Sequence, residues 1–381
     1  MIAALRTALL AAAAAGAAVP ALPAAPALIQ IAIVRQAVSA VIAPEGDVRL
    51  LVPGAKPRPL EWKGALTLTP RVGGLRLSQL KLPTETRLEP QGGSAIKVGP
   101  DRHRGALILR LDPGQTVTIV EEVPLEDYLE GVLPHEMDPD WPIEALKAQA
   151  VVARSFAYAN LGRFRKDGFD LTADTRSQMY RGTTAVNDNV RRAVRETRGE
   201  VLGWHGQLLR VYYHACCGGR TENAAEVWGG DPAATPPPLR GVKDPWCSVS
   251  PHMRWTAYFA FVDVTAAVDE RVRLPGPLKS LKIGRRDIAG YVSEFIARSG
   301  KISERIKASD LRATLGAGDL KSLRISRVSV KKKGLEFVGA GSGHGVGLCQ
   351  WGARVQAAKG RSYEKILAFY FPGSELSEIA E

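Results

Sequence analysis

The stretch VPLEDYLEGVLPHEMDPDWPIEALKAQAVVARSFAYAN, Val123 to Asn160, decides how the rest of the chain is read. It leaves a strand, passes a short loop carrying His135 and Glu136 in the run PHEM, and enters a long Ala-rich helix. Trp141-Pro142 with Glu144 just beyond is a helix-start signal. Ile143, Leu146, Ala150, Ala153, Phe156 and Ala157 recur at helical spacing and predict one buried face. Asn160-Leu161-Gly162 predicts its end. A carboxyl at Glu136, set beside apolar and aromatic residues where the chain turns, is a candidate acid whose pKa burial would raise. Such a Glu before a helix also reads as an ordinary solvated loop residue.

Outward from this stretch, the sequence predicts an α+β fold. From Leu28 to about Val120, runs such as IQIAIV, VRLLV, ALTLTP, GLRLSQLKL and GALILRL alternate with Gly, Pro and Asp. They predict an antiparallel layer of roughly six strands that ends with TVTIVEEV. After the Ala-rich helix come a polar segment, DLTADTRSQMYRG, and a second helix, VNDNVRRAVRETRG. EVLGWHGQLLRVYYHACCGG then reads as a hairpin turning at His205-Gly206. GDPAATPPP is a Pro-rich linker. A basic stretch follows and reads as strand (SLKIG), helix (GYVSEFIAR), helix (ASDLRATL) and two strands. The C-terminal part opens on the Gly-rich GSGHGVG and continues into two helices. These signals divide the chain into a leader at 1–27, a β-rich region at 28–110 and a mixed α/β catalytic core with the long Ala-rich helix at 111–230. A linker with a core strand follows at 231–265, then an inserted basic subdomain at 266–333. The segment 334–381 completes the core.

Composition bounds the setting. Of 381 residues, 45% are apolar and 24% charged, which supports a real core. The net charge of +12 points to an acidic partner: nucleic acid, anionic lipid or an anionic wall polymer. Met1 to Ala27 reads as a signal peptide. Arg6 is followed by an Ala-rich apolar run and an Ala25-Pro26-Ala27 cleavage site. Export removes nucleic acid from the expected partners. An uncleaved leader would instead leave the protein associated with the membrane through its N-terminus.

Four groups of residues compete for chemistry. Glu136 is the best single acid. Glycoside hydrolysis usually needs a second carboxyl. A lytic transglycosylase manages with one, which protonates the glycosidic oxygen and then takes the proton of the C6 hydroxyl that attacks C1. GSGHGVGLCQWGA, with His344 between glycines, lacks a P-loop ending or a dinucleotide fingerprint and reads as a substrate-lining loop. His214, Cys216, Cys217 and Cys247 leave a zinc site open, at no standard spacing. The preferred reading there is a Cys217–Cys247 disulfide across the linker, which an exported protein permits. No cofactor is required by the chemistry. Cys349 with His344 forms a nucleophile pair of a wall-peptidase type, with no third orienting group. Arg154, on the Ala-rich helix, reads as a clamp for a carboxylate or as a surface residue. Trp141, Trp228, Trp246, Trp255 and Trp351 fall near loops, where a ring can stack on sugar or pack in the core.

Together VPLEDYLEGVLPHEM…WPIEALKAQAVVARSFA, DTRSQMYRG, CGGRTENAAEVWG and GSGHGVGLCQWGARVQAAKGRSYEKILAFYFPG resemble the SpoIID/LytB family, the stage II sporulation protein D and amidase-enhancer group. The resemblance spans about Leu111 to Glu375. It implies peptidoglycan as substrate, and lytic transglycosylase activity on glycan strands stripped of stem peptides. It puts the catalytic role on Glu136. It implies that Arg154, Ser177, Gln178, Tyr180, His344 and Gln350 serve substrate binding in the same cleft. A non-catalytic amidase enhancer, which holds glycan and activates a cell-wall amidase, is the alternative the family also contains. Some members bind zinc through Cys and His, but the ligand spacing here does not match. Cys349 stands where members often carry Ser, which weakens the thiol reading.

Overall fold

The computed structural model describes residues 28–379, so the expected leader lies outside them. Between Ile29 and Val123 the chain forms twelve strands, about twice the number expected from sequence. The excess comes from tight turns inside runs that read as single strands. GLRLSQLKL, for example, breaks at Ser78, whose φ of 52° turns Gly74–Leu77 back onto Leu80–Leu82. The strands pair into a seven-stranded sheet, which also takes in Leu171–Thr172, and a six-stranded sheet. Ile42, Leu50, Leu68, Leu88, Leu107 and Ile119 belong to the apolar cluster that the strands share. Strand Ile29–Ala37 is paired antiparallel with Thr116–Val123, Ile29 opposite Val123. On its other edge it takes Leu171–Thr172 in parallel. That parallel addition ties the start of the SQMY segment to the sheet.

The PHEM segment departs from expectation. It is the end of a helix, α1 (Leu125–Glu136), rather than a loop. Leu125, Tyr128, Leu129, Val132 and Leu133 repeat at helical spacing and are buried. Pro134 falls in the last turn, where the helix is about to stop. The Ala-rich helix α2 (Ile143–Ala159) follows. It is buried on nearly every side, because α1, α3 (Asp188–Glu196), two C-terminal helices and strand Glu200–Trp204 pack around it. Its many alanines let these neighbours approach closely.

Asn187 caps α3 by accepting the Val190 N–H at 3.0 Å. The hairpin at His205-Gly206 forms as expected, with both turn residues at positive φ. Strand Tyr213–His214 then pairs in parallel with Leu348–Cys349, which brings YYHACC beside the GHGVG loop. Gly347 makes this possible. Its φ is +75°, and a Cβ there would meet the Tyr212 carbonyl oxygen at 2.1 Å. A short helix, α4 (Ala224–Trp228), follows CGGRTEN.

A separate apolar cluster gathers residues between Trp255 and Phe337. It holds two three-stranded sheets and the helices α5 (Phe261–Asp269) and α6 (Ala308–Leu315). GYVSEFIAR was expected to be helical, and most of it is the strand Val292–Ser299. Phe295, Ala297 and Ser299 are buried in alternation, and the turn at Gly300 returns the chain as Ile302–Lys307. Helices α7 (Gln350–Ala358) and α8 (Tyr363–Tyr370) close the chain against α2. Among the described residues no helix is long and apolar enough to cross a membrane.

Candidate active site

Glu136 ends α1 and faces a cleft of 500 Å³. Its Oε1 accepts the Met179 N–H at 2.8 Å. The Tyr213 hydroxyl bonds the same carboxyl. Behind them runs a chain of neutral groups. Gln178 Nε2 donates to the Tyr213 hydroxyl at 3.2 Å, and the Tyr128 hydroxyl donates to Gln178 Oε1 at 3.2 Å. Burial is the largest influence on Glu136 and raises its pKa above the usual 4.5; the Met179 and Tyr213 bonds pull the other way and are outweighed. Its place at the C-terminal end of a helix, where the dipole is negative, acts in the same direction as burial. The carboxyl is therefore disposed to carry a proton.

Gly131 lets the SQMY segment close on α1. A Cβ there would meet the Gly182 carbonyl oxygen at 2.4 Å and the Tyr180 ring at 2.5 Å. This close approach presents the Met179 N–H to Glu136. The rest of the cleft is lined by Ser177, Phe156, Arg163, Tyr212, Trp228, Arg312 and His344. Trp228 is half exposed and stacks on Tyr212, with ring centroids 4.1 Å apart. A second cavity, of 230 Å³, shares Arg312, Gly343 and His344 with the first. It contains Glu222, whose carboxyl is pushed up to about 9, chiefly by burial and then by the neighbouring Asp287 carboxyl.

His344 carries the side chain of the GHGVG loop that reaches both cavities. Its Nδ1 accepts the Val346 N–H at 3.1 Å. Burial, with His214 and Arg312 nearby, pulls its pKa down to about 3, so the ring is neutral. Of the residues implied to bind substrate, Ser177 and His344 line the cleft and Gln178 stands one layer behind. The other three do not reach it. Arg154 is 0% exposed, neither a surface residue nor a substrate clamp. Its Nε and one terminal nitrogen donate to the two carboxyl oxygens of Glu126 at 2.7 Å each, and the other to the Glu200 carbonyl at 3.0 Å. It locks α2 to α1. Tyr180 is buried, and its hydroxyl donates to Glu121 at 2.9 Å. Gln350 is buried at the start of α7 and donates to Gln149 at 3.5 Å.

The cysteines are four buried free thiols. Cys217 and Cys247 are adjacent as expected, with sulfurs 3.5 Å apart, but not bonded to each other. Cys349 is 0% exposed and its sulfur lies against the Ala215 carbonyl, so it is shut off from any substrate in the cleft. Among the described residues, the atoms able to share a metal belong to Cys217, Asp244, Cys247 and Cys349. His214 and Cys216, expected in such a set, are absent from it. His214 Nδ1–H donates to the Val346 carbonyl at 3.0 Å instead. Sequence reading missed Tyr213 and Asp244. Tyr213 sits in a run scanned for its cysteines, and Asp244 in a segment read as irregular.

Residues 113–204 match the stage II sporulation protein (SpoIID) family. A stage II sporulation protein D of Bacillus amyloliquefaciens is 30% identical over 277 residues, covering 68% of this chain and 76% of that protein. An amidase enhancer of Bacillus subtilis (strain 168) is 31% identical over 299 residues, 65% of this chain but 40% of that longer protein. An uncharacterized protein of Brachyspira hyodysenteriae is 36% identical over 264 residues, 68% of each chain. The chain belongs to the stage II sporulation protein D family.

Proposed function

We propose that the protein is an exported peptidoglycan-remodelling enzyme that cuts the MurNAc–GlcNAc bond of glycan strands as a lytic transglycosylase. The observation that carries this is Glu136, a carboxyl with a raised pKa at the wall of a cleft, hydrogen-bonded by neutral groups alone. In the resting site the protonated Glu136 donates to the glycosidic oxygen as the bond to C1 breaks. The resulting carboxylate then takes the proton of the C6 hydroxyl of the same sugar as that oxygen attacks C1. One carboxyl serves both transfers and ends in its starting state. The Met179 N–H and the Tyr213 hydroxyl support the carboxylate between the two steps. The half-exposed Trp228 offers a ring face to a sugar. The positive charge of the chain favours an anionic wall polymer.

The test is purified protein on glycan stripped of stem peptides, with anhydro-sugar ends read by mass spectrometry. Wild type is expected to produce them and Glu136→Gln to lose them. Likeness to an amidase enhancer supports a second reading, in which the cleft holds glycan and the protein activates a cell-wall amidase. That reading wins if wild type releases no anhydro ends while an added amidase speeds up.

A further inference from the structure

Cys217, Cys247 and Cys349 arrive at one buried point from three distant parts of the chain, and Asp244 joins them. Cys217 follows strand Tyr213–His214, Asp244 and Cys247 flank the start of the turn Trp246–Val249, and Cys349 precedes α7. One ligand atom from each of the four lies within 4.8 Å of all the others. The cysteines are 0% exposed and Asp244 is 1% exposed. Cys217 Sγ is 3.5 Å from Cys247 Sγ and 3.2 Å from Asp244 Oδ2. Around zinc, with bonds of about 2.3 Å to sulfur and about 2.0–2.2 Å to oxygen, tetrahedral ligand atoms stand roughly 3.5–3.8 Å apart. The widest pair therefore needs to close by only about an ångström.

The surroundings are those of a ligand set. The Gly219 N–H points at Cys217 Sγ at 3.4 Å, and the Cys217 N–H points at Cys349 Sγ at 3.3 Å. Asp244 is oriented by the Trp246 N–H at 2.8 Å and by the Tyr370 hydroxyl at 3.0 Å. Backbone donors aimed at sulfur favour thiolate, and outer hydrogen bonds fix the carboxylate. All three donors to Asp244, the Cys217 thiol included, are neutral. A carboxylate buried among sulfurs is stabilised by a cation, and a soft, tetrahedral donor set selects zinc among the common ones.

We propose that Cys217, Asp244, Cys247 and Cys349 bind one Zn(II) in a closed structural site. The ion ties the CGGRTEN turn and the Trp246 turn to the start of α7, next to the GHGVG loop that forms the cleft wall. It touches no substrate. The set excludes Cys216, whose sulfur lies 4.0 Å from Met253 Sδ, and His214. The rival is the Cys217–Cys247 disulfide, which would draw the two sulfurs to about 2.05 Å and leave Asp244 and Cys349 without a cation.

The test uses the full chain, purified without chelator from zinc-supplemented cells. Metal is measured by plasma mass spectrometry, and thiols are counted with an aromatic disulfide reagent after the protein is denatured in the presence of a chelator. The expected result is about one zinc per chain, with all four cysteines titrating as thiols. Exchange into Co(II) is expected to give the intense visible bands of a tetrahedral thiolate site, a readout independent of any variant. Cys349→Ser and Asp244→Asn are expected to lose most of the zinc, and Cys216→Ser to keep it. Zinc-free protein whose mass is lower by two hydrogens assigns the disulfide and overturns the proposal. Zinc-free protein with every thiol titratable overturns it as well. Zinc lost in Cys216→Ser, or kept in Cys349→Ser, overturns the ligand set.

Discussion

The two ends of α1 hold two glutamates in opposite ways. Glu126, in the first turn, is gripped through both oxygens by the guanidinium of Arg154. Glu136, in the last turn, has only the amide of Met179 and the hydroxyl of Tyr213. The helix dipole favours negative charge at the first end and disfavours it at the second. One carboxyl is thus part of an ion pair that fastens two helices, and the other is kept as a buried acid facing a cleft. The difference lies in the partners. A permanent cation fixes a carboxylate, whereas neutral donors leave a carboxyl free to exchange its proton.

The largest expected effect comes at the cleft end. Glu136→Gln should lower release of anhydro ends by about 10³-fold or more, the upper part of the range for losing general acid–base catalysis. Melting should separate this from misfolding. Because the folded-state pKa of Glu136 is raised, the native protein holds this proton more tightly than the unfolded chain. That stabilisation is complete below the ordinary 4.5 and is lost as pH rises through the raised value. Gln suffers no such loss, so the melting temperature of the variant relative to wild type should climb between acid and neutral pH. A difference that is flat with pH would break the contrast between the two ends.

Next in size is Arg154→Met at the other end. Removing one partner of a buried pair costs about 3–5 kcal/mol, read as a lower denaturant midpoint. Adding Glu126→Gln to it should recover part of that loss, because the remaining carboxyl is no longer stranded. Should Arg154→Met melt like wild type and fail only in glycan cleavage, Arg154 would belong to the cleft and the comparison would collapse.

The same two ends show what sequence could reveal. Glu136 was legible as a carboxyl whose pKa burial raises, since PHEM sits beside apolar and aromatic residues and an Ala-rich helix follows. Its helix was not, because PHEM, where the chain turns ahead of DPDWP, reads as a loop. The structure uses Gly131 for a close approach to Tyr180 and puts Pro134 in the last turn. The spacing of Leu125, Tyr128, Leu129, Val132 and Leu133 carried the helical signal all the same. Arg154 was visible as an unusual cation on an apolar helix, but its partner lies 28 residues earlier and no local pattern links them. Tyr213 reaches Glu136 only because strand Tyr213–His214 pairs in parallel with Leu348–Cys349, a long-range contact that periodicity does not encode. GYVSEFIAR failed for a related reason, since its apolar residues fit either period until a neighbouring strand selects one.

Two smaller effects sharpen the cleft side. Tyr213→Phe removes a hydroxyl that stabilises the Glu136 carboxylate, so kcat should fall about tenfold, the worth of a hydrogen bond to a charged group. The same hydroxyl lowers the pKa of Glu136, so its loss should raise that pKa further. The acid form would then persist to higher pH, and the high-pH fall in activity should move upward in a pH–rate profile. An unmoved profile would mean that Tyr213 shapes the cleft without touching the proton chemistry.

Trp228 is expected to matter least, and in a different parameter. It sits at the end of α4, half exposed, stacked on Tyr212 and 5.2 Å from the His344 ring. It makes no contact with Glu136 through the Tyr213–Gln178–Tyr128 chain, so its loss should leave proton transfer alone. Trp228→Ala should raise KM by about two- to tenfold, the equivalent of one aromatic contact of about 0.5–1.5 kcal/mol, with kcat within about twofold of wild type. Trp228→Tyr keeps a ring face and should restore most of the binding. A fall in kcat with unchanged KM would place Trp228 on the acid's side of the cleft, among the groups that set the proton transfer, instead of on the sugar's.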